Sequence, residues 1–384
     1  MTRSRIYIWG LIMLLFVGLL SCVKIYEPDL TADDVQKIVV SGRLTEKEGF
    51  QQVEVSMTTS MVNPKLKYLP NCKVSLFSSD GKSWMYTQLN DEKYNLWLNK
   101  DELDLTESYY IEVITPGGER IVSEPESFSS NPDVNKVYYD VQGYHNDFNN
   151  QDYIGLQFYI DLLGSLSDSR FFLFNVIETY EFHTKGPIEW WYDGIIHHEY
   201  PPDYSKSICW NTLLIEDLYV LSTDNLNKNE YFKLKLNYTD NHSQRLQHLY
   251  SLNIQQYAIT KNAYKYWKQM QENMHQTGGL YNNQPYAIAG NLINETDPKK
   301  PVLGYFMVGS LKEKRIFIQP QNFDIIDNTC DTAVLRMGVR EISPMSYPAF
   351  LTGNEHTYFN QIMSKTCVDC TADGGSTTKP VFWP

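Results

Sequence analysis

The chain has 384 residues and a formal net charge of −13, and this length allows two domains with a sizeable core. The acidic balance argues against nucleic acid as a partner, because contacts to phosphate need clustered lysine and arginine side chains. Aromatic residues make up 14% of the chain, which favours a β-rich fold, since aromatic rings fit pleated, half-buried surfaces. A surface that binds sugars is the alternative interpretation of the same excess.

The N-terminus resembles an export signal that ends in a lipidation site. Two arginines precede an apolar stretch over residues 6–20, which is shorter than a stable membrane span. The stretch ends in LLSC, which resembles the bacterial lipobox, and Cys22 is the cysteine that would be acylated. We therefore predict a signal peptide over 1–21 and a lipidated tether over 22–36, which holds the protein to the membrane through acyl chains. An ordinary secretory signal with a chance cysteine is the alternative.

Residues 37–129 predict an immunoglobulin-like β-sandwich. Short segments of alternating apolar and polar residues are separated by turn signals, without a helical stretch. Asp80-Gly81 and Gly117-Gly118 mark two hairpin turns. Roughly six or seven strands in about ninety residues are typical of such a sandwich. Residues 129–136 then supply a linker.

Residues 130–384 predict a second β-rich domain that carries one prominent helix near 260–276. Several strand patterns precede this helix, and Thr260 is a suitable N-cap residue. Apolar residues from Ala263 to Met274 recur on one face at helical spacing. The fold class predicted for the whole chain is therefore mainly β.

Cysteine usage predicts disulfides, because an oxidising compartment favours them. Cys72 lies in an alternating strand pattern, and we expect it to be buried as a small apolar side chain. Four other cysteines follow Cys72 in the chain, and they allow three pairings among which the sequence does not choose. These disulfide candidates are Cys209, Cys330, Cys367 and Cys370.

The spacing of Cys367 and Cys370 is used by redox centres, zinc sites and structural disulfides alike. A catalytic C-x-x-C pair begins a helix, whose dipole lowers the pKa of a thiol, but glycines and a proline follow this pair and disfavour a helix. Zinc needs two more ligands, and neither a second C-x-x-C nor a histidine pair lies near in the sequence. Structural disulfides to Cys209 and Cys330, or one of these with a local loop, are the better interpretation.

The sequence contains none of the common catalytic motifs that we sought. G-x-S-x-G, H-E-x-x-H and G-x-x-x-x-G-K are all missing. We therefore assign no catalytic residue, no cofactor and no metal ligand, and predict that the protein is not an enzyme. His197 and His198 resemble metal ligands, but adjacent residues of a strand point to opposite faces and chelate poorly.

One aromatic segment, IEWWYDGIIHHEY, is our candidate for an exposed surface that binds a partner or a ligand. It contains Trp190, Trp191 and Tyr192, whose rings are suited to stacking on a sugar or to filling a partner's pocket. A hairpin that packs on its own domain is the alternative interpretation of the same residues.

Several motifs together resemble a known family. The helix AYKYWKQMQENMHQ is followed by GGLY, PYAIAGN, a GYF strand and the closing CVDC and KPVFW. With VVSGRLT at 39–45 and Cys209-Trp210, they resemble the domain of unknown function 4249 family, whose members are lipoproteins of Bacteroidota envelopes. Genes of this family often neighbour TonB-dependent outer-membrane transporters. The resemblance implies a lipid-anchored protein of the outer membrane, which faces the cell surface or the periplasm.

The resemblance also implies a function. We expect an accessory lipoprotein that captures a ligand for a TonB-dependent transporter or caps that transporter. A structural or assembly component of the envelope is the first alternative. A carbohydrate-active hydrolase is the second, since the paired carboxylates of glycosidases have no local signature. The expected partners are the membrane, through the N-terminal lipid, and the transporter.

Overall fold

The protein is described by a computed structural model over residues 36–59, 67–90, 92–276, 288–327, 329–352 and 359–384. The predicted signal peptide and Cys22 lie outside the described residues, so lipidation stays a prediction. Within these ranges the chain is mainly β, as predicted, with a single α-helix. Not one of its described helices has both the length and the apolar character that a membrane span requires.

The strands and helices follow one another in three groups. The first group is β1 (Ile38–Leu44), β2 (Gly49–Met57), β3 (Lys67–Tyr68), β4 (Lys73–Ser78), β5 (Ser83–Met85), β6 (Thr87–Gln88), β7 (Lys93–Leu98), β8 (Ser108–Ile114), β9 (Arg120–Ser123) and β10 (Glu126–Ser127). The second group is β11 (Lys136–Asn146), β12 (Gln151–Leu163), β13 (Phe171–His183), β14 (Ile188–Tyr192), β15 (Ile196–Asp203), β16 (Ile208–Leu214), β17 (Tyr219–Ser222), β18 (Glu230–Asp240) and β19 (Tyr250–Ala258). The third group is α1 (Lys261–Gln276), β20 (Leu292–Asn294), β21 (Leu303–Val308), β22 (Ser310–Ile318), β23 (Thr332–Val334), β24 (Ala349–Thr352) and β25 (Gln361–Met363). Short 3-10 helices lie at Gln244–Leu246, Gly338–Glu341, Pro344–Ser346, Lys365–Cys367 and Cys370–Asp373.

The first unit consists of two sheets that share one apolar core. One sheet has the strand order β21-β1-β2-β7-β6, with β3 on β2, and the other has the order β20-β9-β8-β4-β5, with β10 on β8. Strand alternation places Val53 and Val55 of β2 and Leu76 of β4 in this core. The hairpin turns predicted at Asp80-Gly81 and Gly117-Gly118 are confirmed between β4 and β5 and between β8 and β9. The assignment to the immunoglobulin-like class stays a prediction.

Two strands from late in the chain complete the first unit. β21 pairs in parallel with β1, and β20 pairs with β9. The sequence boundary after residue 129 did not anticipate this, because a strand pattern does not reveal which distant strand it will join. β21 is buried on both faces: Phe306 enters the core of the first unit, whereas Tyr305 and Met307 enter an apolar cluster against the second unit. Its uninterrupted apolar run is typical of a strand covered on both sides.

Glycine explains how closely β21 approaches its neighbours. Gly304 has a φ of 96°, a conformation that favours glycine, and a Cβ atom there would collide with the backbone of Val40 on β1. A Cβ atom at Gly290 would collide in turn with the backbone of Gly304. The glycines of the AGN and GYF motifs therefore serve the docking of this strand.

The second unit also consists of two sheets around a core. Their orders are β11-β12-β18 and β16-β13-β19-β22, with β17 on β13, and Phe158, Phe174 and Ile254 lie in the core between them.

The predicted helix is confirmed as α1. Thr260 is its N-cap, because the Thr260 Oγ1 accepts a hydrogen bond of 3.2 Å from the Ala263 backbone N–H.

A fifth sheet has the order β15-β14-β24-β25-β23. It pairs the β14–β15 hairpin with strands of the C-terminal tail, by which we mean residues 329–352 and 359–384. The predicted disulfides are present, and the pairing that the sequence left open joins Cys209 to Cys370 and Cys330 to Cys367. The two cysteines of CVDC are therefore bound to different parts of the chain. Cys72 is free and buried, as predicted.

Candidate functional site

A cleft of about 540 Å³ lies between the first and the second unit, and we take it as the candidate site. Its lining comes from both units and from α1. Clefts of this size between packed units are common places for small ligands. The residues that shape it are Arg43, Phe50 and Gln52 of the first unit, and Leu173, Asn175, Gln255, Tyr257, Trp267, Met307 and Leu311.

β2 forms the outer wall of the cleft. Alternation turns Gln51 inward, where its side-chain oxygen accepts a hydrogen bond of 2.9 Å from the Thr45 backbone N–H, and turns Phe50 and Gln52 outward. The Phe50 side chain is 59% exposed. Its ring meets that of Trp97 on β7 edge-on, with 4.9 Å between the centroids. Phe50 therefore lines the cleft, and the exposed ring of Trp97 lies beside it, outside the lining.

β19 forms the inner wall. The buried ring of Tyr257 lies under the Arg43 guanidinium, with 4.6 Å between the Arg43 Cζ and the ring centroid. Burial raises the pKa of Tyr257, and the positive charge of Arg43 opposes that shift. The Tyr257 hydroxyl donates to the Gln255 Oε1 at 3.0 Å. Arg43 belongs to β1, so this contact joins the two walls and fixes their separation.

The floor of the cleft is apolar. Leu173, Met307 and Leu311 are buried in the cluster that also holds α1 through Ala263. The two carboxylate oxygens of Glu46 both accept from the Leu311 backbone N–H, at 2.9 Å and 3.2 Å. This contact ties the β1–β2 loop to β22. The floor is thus joined to the first unit both by apolar packing and by this shared hydrogen bond.

The chemistry of the lining suits binding. The amides of Gln52 and Asn175 can donate and accept hydrogen bonds, and the exposed ring of Phe50 can stack on a flat apolar face. The charged side chains of the lining are of both signs: the Arg43 guanidinium lies over the ring of Tyr257, and Glu54 forms an ion pair of 3.1 Å with Lys93. The described lining residues include neither a histidine nor a cysteine.

The aromatic segment singled out in the sequence does not line the cleft and forms the β14–β15 hairpin of the fifth sheet. Trp190 is only 8% exposed and packs in an apolar cluster with Phe359. Tyr192 meets Tyr347 edge-on, with 5.3 Å between ring centroids. In this hairpin the strongly exposed ring is that of Tyr200, at 85%. Binding of a partner by Trp190, Trp191 and Tyr192 stays a prediction.

The neighbouring histidines of this hairpin face opposite sides, as expected. The His198 ring stacks on Trp190 and the His197 ring stacks on Trp191, each with 3.6 Å between centroids. The cross-strand register makes these pairs, because Trp190 lies opposite His198 and Trp191 opposite His197. The two imidazoles are therefore used in packing on separate faces.

Sequence reasoning missed the cleft because its walls come from strands that lie far apart in the chain. A single local signal was available. In the alternation of β2, Phe50 falls on the same face as Gln52 and Glu54, where a polar residue is expected. A single exposed ring is common on proteins, so this signal becomes informative only with the ring of Trp97 beside Phe50.

The comparisons with known proteins identify the family. The family model described as Domain of unknown function (DUF4249) matches residues 23–315. The chain therefore belongs to this family, and the resemblance seen in the sequence is confirmed. The matched range includes the whole lining of the cleft and ends before Cys330, Cys367 and Cys370. No curated protein matches the chain.

Proposed function

We propose that this member of the domain of unknown function 4249 family is a lipoprotein of the outer membrane that captures a ligand in the cleft and serves as an accessory of a TonB-dependent transporter. The cleft carries the proposal, because it joins an apolar floor, exposed amides and aromatic rings at the meeting of two units. Membership of the family and the lipobox at Cys22 support the location and the partner.

The ligand that suits the lining is a neutral oligosaccharide. Sugars have apolar C–H faces that stack on aromatic rings, here Phe50 and the neighbouring Trp97. Their hydroxyls both donate and accept, as do the amides of Gln52 and Asn175. The lining carries charged side chains of both signs, namely Arg43, Lys47, Glu48 and Glu54, so a ligand without net charge is favoured over one that carries a single sign.

The predicted tether gives the cleft room above the membrane. About fifteen residues separate Cys22 from the start of β1, and a fully extended chain of that length spans at most roughly 50 Å. β1 itself carries Arg43 of the cleft. A lipid on Cys22 would therefore leave the cleft free to reach the mouth of a neighbouring barrel.

Lipidation itself is tested with labelled palmitate. The label should be incorporated into the wild-type protein and should be missing from the Cys22→Ala variant.

Ligand capture can be tested on the detergent-extracted, mature lipoprotein with an array of neutral oligosaccharides, followed by calorimetry on those that bind. We expect Phe50→Ala to weaken binding at least tenfold, because it removes the stacking surface. Phe232→Ala is the matched control, since Phe232 is 60% exposed on β18 while Phe50 is 59% exposed. Equal losses in the two variants, or no binding in the wild type, would contradict capture in this cleft.

The partner is tested separately. A tagged lipoprotein is recovered from detergent-solubilised outer membranes, and we expect a TonB-dependent transporter in stoichiometric amount. If the aromatic hairpin forms the contact, Trp190→Ala with Trp191→Ala should reduce this recovery. Recovery of the lipoprotein alone would contradict the accessory role and favour a structural component of the envelope.

A further inference from the structure

A cluster of two histidines and one glutamate lies at the end of β13, away from the cleft. Glu181 and His183 are two residues apart on the strand, so their side chains lie on one face. The His183 Nε2 is 2.8 Å from the Glu181 Oε1. The chain returns beside them before β19, where the Glu181 backbone N–H donates to the Leu249 carbonyl at 3.1 Å. His248 is thereby brought onto His183, and the centroids of the two imidazole rings are 3.7 Å apart.

We propose that Glu181, His183 and His248 bind a divalent transition-metal ion of the zinc class. One ligand atom from each side chain lies within 4.8 Å of the other two. In a tetrahedral zinc site with bonds of about 2.1 Å, ligand atoms are separated by roughly 3.4 Å. The two imidazoles are stacked face to face, so both rings must turn out of the stack before their nitrogens can face one ion. Two imidazoles and one carboxylate form a donor set that suits zinc.

The end of the chain orients the carboxylate. The indole Nε1 of the buried Trp383 donates to the Glu181 Oε2 at 3.2 Å, which leaves the Oε1 turned toward His183. The ring of Trp383 packs edge-on against Phe317, and the Arg315 guanidinium covers the ring of Phe382. Hydrogen bonds to a ligating carboxylate fix its direction and raise metal affinity. The closing KPVFW motif therefore has a defined place beside this cluster.

The exposure of the cluster is compatible with a metal. The side chains of Glu181 and His183 are 22% and 33% exposed, which gives an ion access from solvent. Three protein ligands leave a position for water or for a group of a bound molecule.

Calorimetry with zinc chloride tests the proposal on the full mature lipoprotein, carrying a tag without histidine and dialysed against a chelator. We expect one zinc ion per chain with a dissociation constant of about 1 μM or lower. Glu181→Gln and His183→Ala should each weaken binding at least tenfold. Trp383→Phe, which removes only the hydrogen bond to Glu181, should weaken it about 10- to 100-fold. Cobalt substitution should give the visible absorption of a tetrahedral site.

The matched control is His145→Ala, which should leave zinc binding unchanged. His145 is exposed and lies between two carboxylates, with 2.7 Å to Asp152 and 3.8 Å to Asp147, so it reports the effect of an ordinary surface histidine. Circular dichroism of each variant verifies folding, and Glu181→Gln preserves the shape of its side chain. The proposal is overturned if the wild type shows no saturable binding up to about 100 μM zinc, or if His145→Ala and His183→Ala lose the same affinity.

Discussion

The junction between the two units and the C-terminal tail are held together by different interactions. At the junction, β21 buries one face in the core of the first unit and the other against the second unit. In the tail the apolar clusters are small, and both disulfides are located there, including Cys209–Cys370, which packs against Phe182. A strand with two apolar faces gains enough free energy from burying them to hold its place without a covalent cross-link. The tail cannot bury a comparable surface and relies on cross-links.

The same difference appears in two buried carboxylates. At the junction, Glu126 accepts hydrogen bonds from the hydroxyls of Thr260 and Tyr305, and burial raises its pKa more than these two neutral donors lower it. In the tail, burial would raise the pKa of Asp369, but hydrogen bonds from Thr371 and from the Lys206 ammonium lower it below its usual value. The junction thus raises the pKa of its buried carboxyl group, and the tail lowers the pKa of its own.

Removing the longer cross-link should give the largest loss of stability. Cys209–Cys370 closes a loop with a sequence separation of 161 residues, and loop entropy assigns it about 5 kcal/mol. We expect the double variant Cys209→Ser with Cys370→Ser to lower the free energy of unfolding by that amount in urea titrations. The shorter Cys330–Cys367 loop, with a separation of 37 residues, should cost about 4 kcal/mol. If neither double variant changes the unfolding midpoint, the disulfides do not support the tail.

The next largest loss of stability should come from removing a buried aromatic ring of β21. Phe306 on β21 is fully buried in the first core, and replacement of such a ring by alanine costs about 3–5 kcal/mol. Phe306→Ala should therefore lower the free energy of unfolding by about 4 kcal/mol, measured by denaturant titration. Phe232→Ala, at an exposed position, serves as the control and should stay within about 0.5 kcal/mol of the wild type. A similar small loss for Phe306→Ala would show that β21 does not hold the junction.

The charge of Asp369 should contribute less to stability than the disulfides or Phe306, and its contribution should depend on pH. Because its folded pKa is lowered, the carboxylate stabilises the fold above its unfolded pKa, and this contribution is lost as pH falls through the folded pKa. Asp369→Asn should cost about 1.5–3 kcal/mol at pH 7 and much less in acid below both pKa values. Thermal unfolding of both proteins across this pH range measures the effect. A cost that is independent of pH would show that shape, not charge, accounts for the role of Asp369.

The smallest effect on stability should come from Glu126, and its dependence on pH should have the opposite sign to that of Asp369. Its folded pKa is raised, so the folded state binds the proton more tightly and stability falls as pH rises from the unfolded pKa through the folded pKa. Glu126→Gln keeps partners for Thr260 and Tyr305 and should abolish this slope, as unfolding at a series of pH values would show. An unchanged slope in the variant would assign the pH dependence to another group.

Local features of the fold were predictable from the sequence, and long-range ones were not. Alternation predicted β1 and β2, and Thr260 predicted the start of α1, because both signals depend on neighbouring residues. The partner of β21 and the pairing of Cys367 and Cys370 depend on contacts between distant segments, which no local pattern encodes. The cleft could not be predicted for the same reason, because its walls come from strands that lie far apart in the chain.

Hydrogen exchange of the full-length protein, with and without a bound oligosaccharide, tests most directly whether the cleft is the binding site. We expect slower exchange of backbone amides in Gly49–Met57 and Tyr250–Ala258, which are β2 and β19 of its walls. The fifth sheet should exchange at an unchanged rate. Protection confined to Ile188–Tyr192 and Ile196–Asp203, the aromatic hairpin, would contradict capture in the cleft and place the ligand on that hairpin instead.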